Sequence, residues 1–241
     1  MTRQITIKGK PIIFGVALGP GDPDLITVKG LKILQEVDVI YYPGARFSNG
    51  KQSSYAWSII THYQLNEDKC KGFYLDMNLD RASAEQTYVE TFQNILIDYK
   101  AGLSIAIVSE GDVSTYSSFS YLLRHIQAQN LEVALVPGIT SYNLAAAEQQ
   151  VPLCLQDEQM MVLPRVQDAE MLKEAIGRFD CLVLMKIKSS INLIHQVLKQ
   201  EKKVTLFYFE RLGTPQQFTS SNWDEILNRN IPYFSLIIVR K

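Results

Sequence analysis

The residues best suited to chemistry in this 241-residue chain lie in small-residue runs that follow short apolar stretches. The first is Gly15-Val-Ala-Leu-Gly-Pro-Gly-Asp-Pro-Asp-Leu-Ile-Thr27, where the apolar stretch Ile12–Leu18 feeds a turn of Gly19, Pro20 and Gly21. Glycines let backbone N–H groups approach a ligand, and ligands of open α/β sheets sit beyond the carboxyl ends of the strands. The run is neither a G-x-G-x-x-G fingerprint nor a Walker loop, which needs Lys-Ser/Thr after its last glycine. Alone it reads equally well as a plain strand-to-helix turn. Four further runs have the same character: Ser109-Glu110-Gly111-Asp112-Val113-Ser114-Thr115-Tyr116, Pro137-Gly138-Ile139-Thr140-Ser141, Val183-Leu184-Met185-Lys186, and Glu210-Arg211-Leu212-Gly213-Thr214-Pro215-Gln216-Gln217. Each singly is a turn; together they favour a shared ligand crevice along one sheet edge.

Other chemistry is sparse. No Ser/His/Asp arrangement is visible, and His62, His125 and His195 stand apart in helical patterns. Cys70, Cys154 and Cys181 are an odd, widely spaced set, better read as reduced thiols than as disulfides or a zinc site. No His or Cys cluster offers a metal site.

The elements that must position these loops alternate. Expected strands are Ile12–Leu18, Val37–Tyr42, Gly72–Leu75, Ile105–Ser109 and Val133–Pro137, separated by helical patterns at Asp24–Gln35, Ser53–His62, Ala84–Lys100 and Ser117–Gln129. Such alternation predicts βαβ units and a mostly parallel sheet. After Pro137 the pattern changes to strands Met160–Leu163, Cys181–Met185, Val204–Phe209 and Phe234–Val239, helices Glu170–Arg178 and Ile191–Leu198, and a turn-rich stretch before the last strand. The expected fold is two α/β domains, 1–138 and 139–241, the second with a mixed sheet, and with a cleft between them.

Composition excludes several classes. With 24 basic and 25 acidic side chains, bulk electrostatic binding to nucleic acid or an anionic membrane is disfavoured. No apolar run approaches the roughly 20 residues of a membrane span. Met1–Lys10 is polar and lacks the apolar core of a signal peptide, so a cytoplasmic location is expected.

Gly-Pro-Gly-Asp-Pro-Asp-Leu-Ile-Thr, Glu-Gly-Asp-x-Ser-x-Tyr-Ser, Val-Pro-Gly-Ile-Thr-Ser and Glu-Arg-x-Gly-Thr-Pro-x-Gln occur in that order from residue 12 to about residue 217. In this the chain resembles the tetrapyrrole (corrin/porphyrin) methylases. Asp38–Gly44, Tyr116–Leu123 and Leu184–Ile187 look most like the subgroup that methylates C-20 of precorrin-2. The resemblance implies a homodimeric enzyme of two α/β domains that binds S-adenosylmethionine in the cleft between them, releases S-adenosylhomocysteine and makes precorrin-3A for cobalamin biosynthesis. Carried over by position, Pro20, Glu110, Gly111, Asp112, Thr115, Thr140, Ser141, Met185 and Gly213 would contact the cofactor. Two departures stand out: Ala17 replaces a frequent glycine, and Val113 replaces the proline of the common Gly-Asp-Pro, regaining an N–H.

Transfer of a sulfonium methyl to an enamine-like meso carbon needs orientation more than a strong base. Tyr41, Tyr42, Asp112 and Tyr116 are the side chains considered for the displaced proton, with packing or binding as the plainer role for each. A precorrin rim bears many carboxylates, which points to Arg46, Lys51, Arg165, Lys186 and Arg211 at strand ends as substrate contacts. Lys69 and Arg81, in or beside Asn66–Asp80, would belong to a flap. Other readings stay open: the cobalt-bearing substrate, another ring position, diphthine synthase, or a non-catalytic binder on the same scaffold.

Overall fold

Apolar runs with no polar alternation form strands buried on both faces, and such strands belong in the middle of a parallel sheet covered by helices. β1 (Ile13–Ala17) is one of these, buried at every position. The computed structural model describes residues 11–76 and 81–241. Its contacts divide the chain into two units, Met1–Thr140 and Ser141–Lys241.

In the first unit β1 is followed by α1 (Val28–Glu36), β2 (Val39–Arg46), β3 (Gln52–Ser53), α2 (Tyr55–His62), β4 (Cys70–Asp76), α3 (Arg81–Lys100), β5 (Ile105–Ser109), α4 (Phe119–Ala128) and β6 (Val133–Val136). The strands β4, β2, β5, β1 and β6 lie side by side in that order, all parallel, and β3 adds a short antiparallel hairpin to the end of β2. One face packs Phe14, Val16 and Ala106 with Leu34 of α1 and Ile59 and Ile60 of α2. The other packs Ile13, Ile105 and Ile107 with Phe92 and Ile95 of α3 and Leu122 and Ile126 of α4.

The second unit contains α5 (Ser141–Glu148), β7 (Met160–Leu163), α6 (Ala169–Arg178), β8 (Cys181–Met185), α7 (Ile191–Leu198), β9 (Thr205–Glu210), β10 (Phe218–Ser220), α8 (Trp223–Leu227) and β11 (Ser235–Arg240). Its sheet runs β10-β9-β11-β8-β7 and is mixed: β7 and β8 are parallel, and the other pairs are antiparallel. Leu172, Ile176, Ile194 and Val197 cover one face. Ala145, Ala146 and Leu212 cover the other. Among the described residues no helix is long and apolar enough to cross a membrane.

Several expected boundaries move. The first helix begins at Val28 rather than Asp24, because Thr27 is its cap, accepting the Gly30 N–H at 3.1 Å, while Asp22 caps a separate 3-10 turn at Pro23–Leu25. The second strand continues past Tyr42 to Arg46, since β4 pairs with it from Ile40 to Arg46. That pairing makes Cys70–Asp76 a sheet strand and not part of a flap. Lys69 has a structural task, its Nζ donating to the carbonyls of Leu34, Gln35 and Val37 at the end of α1. Residues 77–80 of the expected flap and the polar segment Met1–Lys10 lie outside the described residues. The turn-rich stretch before the last strand also contains β10 and α8, and Asn222 caps α8 by accepting from Asp224 N–H.

Candidate functional site

In the first unit the loops after β1, β5 and β6 are stitched together at the carboxyl ends of adjacent strands. Gly19 and Gly111 exchange backbone hydrogen bonds, Gly111 N–H to Gly19 O at 2.7 Å and Gly19 N–H to Gly111 O at 3.2 Å. Both have left-handed backbone, φ 81° and 68°, which glycine alone adopts without steric cost. A Cβ added at Gly111 would meet nothing within 4 Å, so the backbone there faces open space that a ligand could enter. Pro20 is half-buried in the same loop.

Asp112 joins two of these loops. Its Oδ1 accepts from Ser114 N–H at 2.8 Å, from the Ser114 hydroxyl at 2.5 Å and from the Thr115 hydroxyl at 3.3 Å, while Oδ2 accepts from Gly138 N–H at 2.9 Å. Burial pushes the carboxyl up, but these hydrogen bonds together hold it below the usual aspartate range. Val113, at the position of the family's proline, is 3% exposed and fills the core behind the loop. Ala17 touches the same junction: a Cβ on Gly138 would lie 2.4 Å from the Ala17 Cβ and 2.8 Å from Gly111 O. Thr140 and Ser141 follow directly, half-buried, at the start of α5. Glu110 points to the first turn of α2, its Oε1 accepting the Ala56 N–H at 3.3 Å. Burial raises its carboxyl, opposed by that backbone donor.

The proton-acceptor candidates separate clearly. Tyr41 is buried and donates to Asp98 Oδ2 at 2.7 Å, which also takes the Lys71 ammonium at 2.7 Å. Tyr42 is buried against Trp57, ring centroids 5.0 Å apart, and its hydroxyl meets that of Tyr74 at 3.2 Å. Burial first, and then these hydroxyl and carboxylate neighbours, raise both phenols. Both phenols are engaged inside the fold, and Asp112 clasps two loops. Tyr116 differs, with a left-handed backbone (φ 53°) and a half-exposed side chain in the loop after β5. The three histidine rings lie against Tyr63, Phe92 and Trp223.

In the second unit Met185 ends β8, and Gly213 (φ 71°) donates to Gln217 Oε1 at 2.7 Å. Arg165, Lys186 and Arg211 follow β7, β8 and β9. Beside Arg211, Glu210 is buried and engaged by the Arg229 guanidinium at 2.6 Å and the Tyr208 hydroxyl at 2.5 Å. Burial raises that carboxyl and the two partners more than reverse it. Of the remaining cations, Arg46 pairs with Asp76 at 3.7 Å, and Lys51 lies in the exposed hairpin between β2 and β3. Among the described residues no group of three His, Cys, Asp or Glu side chains could hold a metal ion.

Sequence reasoning overlooked Ser114 and Gly138 as partners of Asp112. The Asp-x-Ser-Thr spacing is a signal for the first, since aspartate commonly accepts from the backbone two residues on. Nothing local marks the second.

A family model for tetrapyrrole (corrin/porphyrin) methylases matches residues 13–226. The cobalt-precorrin-2 C(20)-methyltransferase of Salmonella typhimurium is 28% identical over 231 residues, covering 95% of this chain and 96% of that protein. Among solved structures, a cobalt precorrin-4 methyltransferase described as a cobalamin biosynthetic enzyme aligns with TM-score 0.72 at 19% identity, covering 95% of this chain and 94% of that one. The uroporphyrin-III C-methyl transferase of Thermus thermophilus, solved with S-adenosylhomocysteine, aligns with TM-score 0.65 at 17% identity, covering 97% and 98%. These two likenesses establish the shared fold.

Proposed function

Because the chain belongs to the tetrapyrrole (corrin/porphyrin) methylases, we propose that it transfers a methyl group from S-adenosylmethionine to C-20 of precorrin-2, giving precorrin-3A in cobalamin biosynthesis. The observation that carries this reading is the end-to-end similarity to a protein named for C-20 methylation, joined to the stitched glycine loops. When bound, S-adenosylmethionine supplies an electrophilic methyl group. The open space beside Gly111 and its left-handed backbone suit a ligand laid against the main chain. Pro20, Glu110, Gly111, Thr115, Thr140, Ser141, Met185 and Gly213 are the residues proposed to hold the cofactor.

Asp112 keeps the loops after β5 and β6 in one arrangement, which is the orientation this chemistry demands. The proton leaving C-20 needs no histidine in this scheme. Tyr116 is the one of the four proton-acceptor candidates whose side chain is half-exposed. The cobalt-bearing substrate is the second reading, favoured by the name of the Salmonella relative. The protein is further proposed to be a cytoplasmic homodimer; the exposed Tyr116 and Tyr121, both half-exposed beside or on α4, support an apolar self-contact.

The test is incubation of the purified chain with S-adenosylmethionine and either metal-free or cobalt-loaded precorrin-2, with the new methyl located by mass spectrometry and NMR. Methylation at C-20 is expected. A methyl at another carbon, or S-adenosylhomocysteine binding with no methylated tetrapyrrole from either substrate, overturns the reading.

A further inference from the structure

In the second unit, three strand ends deliver positive charge to one edge of the sheet. Leu163 of β7 pairs in parallel with Leu184 of β8. Arg165 and Lys186, each two residues further on, therefore leave neighbouring strands at the same level, the paired strands themselves being about 5 Å apart. β9 runs in the same direction as β8, because both are antiparallel to β11, with Met185 opposite Leu236 and Glu210 opposite Ser235. Arg211 thus emerges on the same edge, from a strand two spacings, or about 10 Å, away from β8.

The backbone at two of these cations is unusual. Among the described residues, the non-glycine positions with left-handed backbone include Gln64, Asn130 and Gln150, each just past the end of a helix. An uncharged amide closing a helix needs no special account. Lys186 (φ 52°) and Arg211 (φ 50°) instead follow strands directly. A long β-carbon-bearing cation there carries a steric cost that glycine would avoid, and persistent strain of this kind collects at binding sites. Among the described residues none of the three side chains makes an ion pair or a side-chain hydrogen bond, although the Arg211 charge is felt by Glu210 and Tyr208. Glu210, the acid adjacent to Arg211, already serves Arg229 and Tyr208. Lys186 is also half-buried, and burial together with the Arg165 charge pushes its ammonium below the usual lysine range.

We infer that Arg165, Lys186 and Arg211 form a carboxylate-reading rail on the strand ends of Ser141–Lys241, one that engages several acidic arms of a single polycarboxylate ring. A like-charged row whose side chains make no ion pair within the fold is completed by an anion with matching repeats, and a monocarboxylate would satisfy only one position. The inference rests on the tetrapyrrole reading and specifies which residues recognise the ring's rim.

The experiment uses non-reacting porphyrins and the full chain. Uroporphyrin III, an octacarboxylate, and coproporphyrin III, a tetracarboxylate, are titrated by fluorescence against the wild type and Lys186→Gly, Arg165→Met and Arg211→Met. Each variant is expected to weaken uroporphyrin binding by roughly ten- to a hundredfold, with a smaller effect on coproporphyrin and an unchanged Kd for S-adenosylhomocysteine. KM for precorrin-2 should rise in parallel while kcat is held. Lys186→Gly should melt at or above the wild-type temperature, since glycine accepts the left-handed backbone freely. Wild-type porphyrin affinity and KM in the variants overturn the rail and leave methylation standing. So does a Lys186→Gly chain that loses thermal stability and S-adenosylhomocysteine binding together, which would make the lysine structural. A wild-type chain that neither binds the porphyrins nor turns over precorrin-2 overturns the tetrapyrrole reading itself.

Discussion

Asp112 spends its carboxylate on the protein itself, and this changes what its replacement should do. Four donors from three residues converge on two oxygens. Removing the carboxylate leaves the N–H groups of Ser114 and Gly138 without their acceptor, at a cost of about 1–3 kcal/mol for each one that water does not reach. Asp112→Ala is therefore expected to lower both the melting temperature and S-adenosylhomocysteine affinity. A pure cofactor ligand would lower only the second, and calorimetry on the free protein separates them. The pH dependence has a definite sign. The folded-state carboxyl lies below the ordinary aspartate value of 3.8, so its contribution is present above that pH and is lost as pH falls through the lower folded value. Asp112→Asn should accordingly flatten the acid limb of the stability curve below about pH 4, while leaving Gly138 N–H facing an amide that accepts at one atom only.

At the scale of elements, β1, β5 and β6 bring three loops into contact, and Gly138 sets how closely they approach. Gly138→Ala would drive a methyl group against the Ala17 Cβ and the Gly111 carbonyl. The first neighbour can be removed and the second cannot. Gly138→Ala is expected to cost about 1–3 kcal/mol by overpacking and to weaken S-adenosylhomocysteine binding. Adding Ala17→Gly should restore only part of both, because the backbone carbonyl remains; full recovery in a denaturation and binding series would refute the carbonyl's share. The same geometry explains how the chain tolerates Ala17 where glycine is frequent in the family. Its side chain occupies the space that Gly138 leaves.

At the scale of the whole molecule, each unit has its own pair of apolar layers around its own sheet. The proposed homodimer of a 27.4 kDa chain should sediment at about 55 kDa and bury upwards of about 2,000 Å² if the monomer is not stable alone. A monomer persisting at micromolar concentration in analytical ultracentrifugation would contradict it. With formal net charge −1, the chain has little long-range field to steer an anionic ring, so recognition falls to local groups such as Lys186.

Much of this was legible from the residues in order. The periods of apolar residues are local, so Met160–Leu163, Cys181–Met185 and Ile191–Leu198 come out with the same ends in sequence and structure. The four ordered motifs identified the family, because loops that serve one ligand keep both residue type and spacing. Local signals failed where partners are distant in the chain. Asp112 bonds a residue 26 positions away, and Tyr41, considered for proton transfer, bonds Asp98, which is 57 away. The left-handed turn at Lys186 and the register that sets Arg165 level with it belong to the same class. Strand pairing decides which carboxylates, hydroxyls and cations meet, because a hydrogen bond or charge contact depends on position in space. Composition and periodicity carry the local preferences of each segment, and only the assembled sheets choose among the partners those preferences allow.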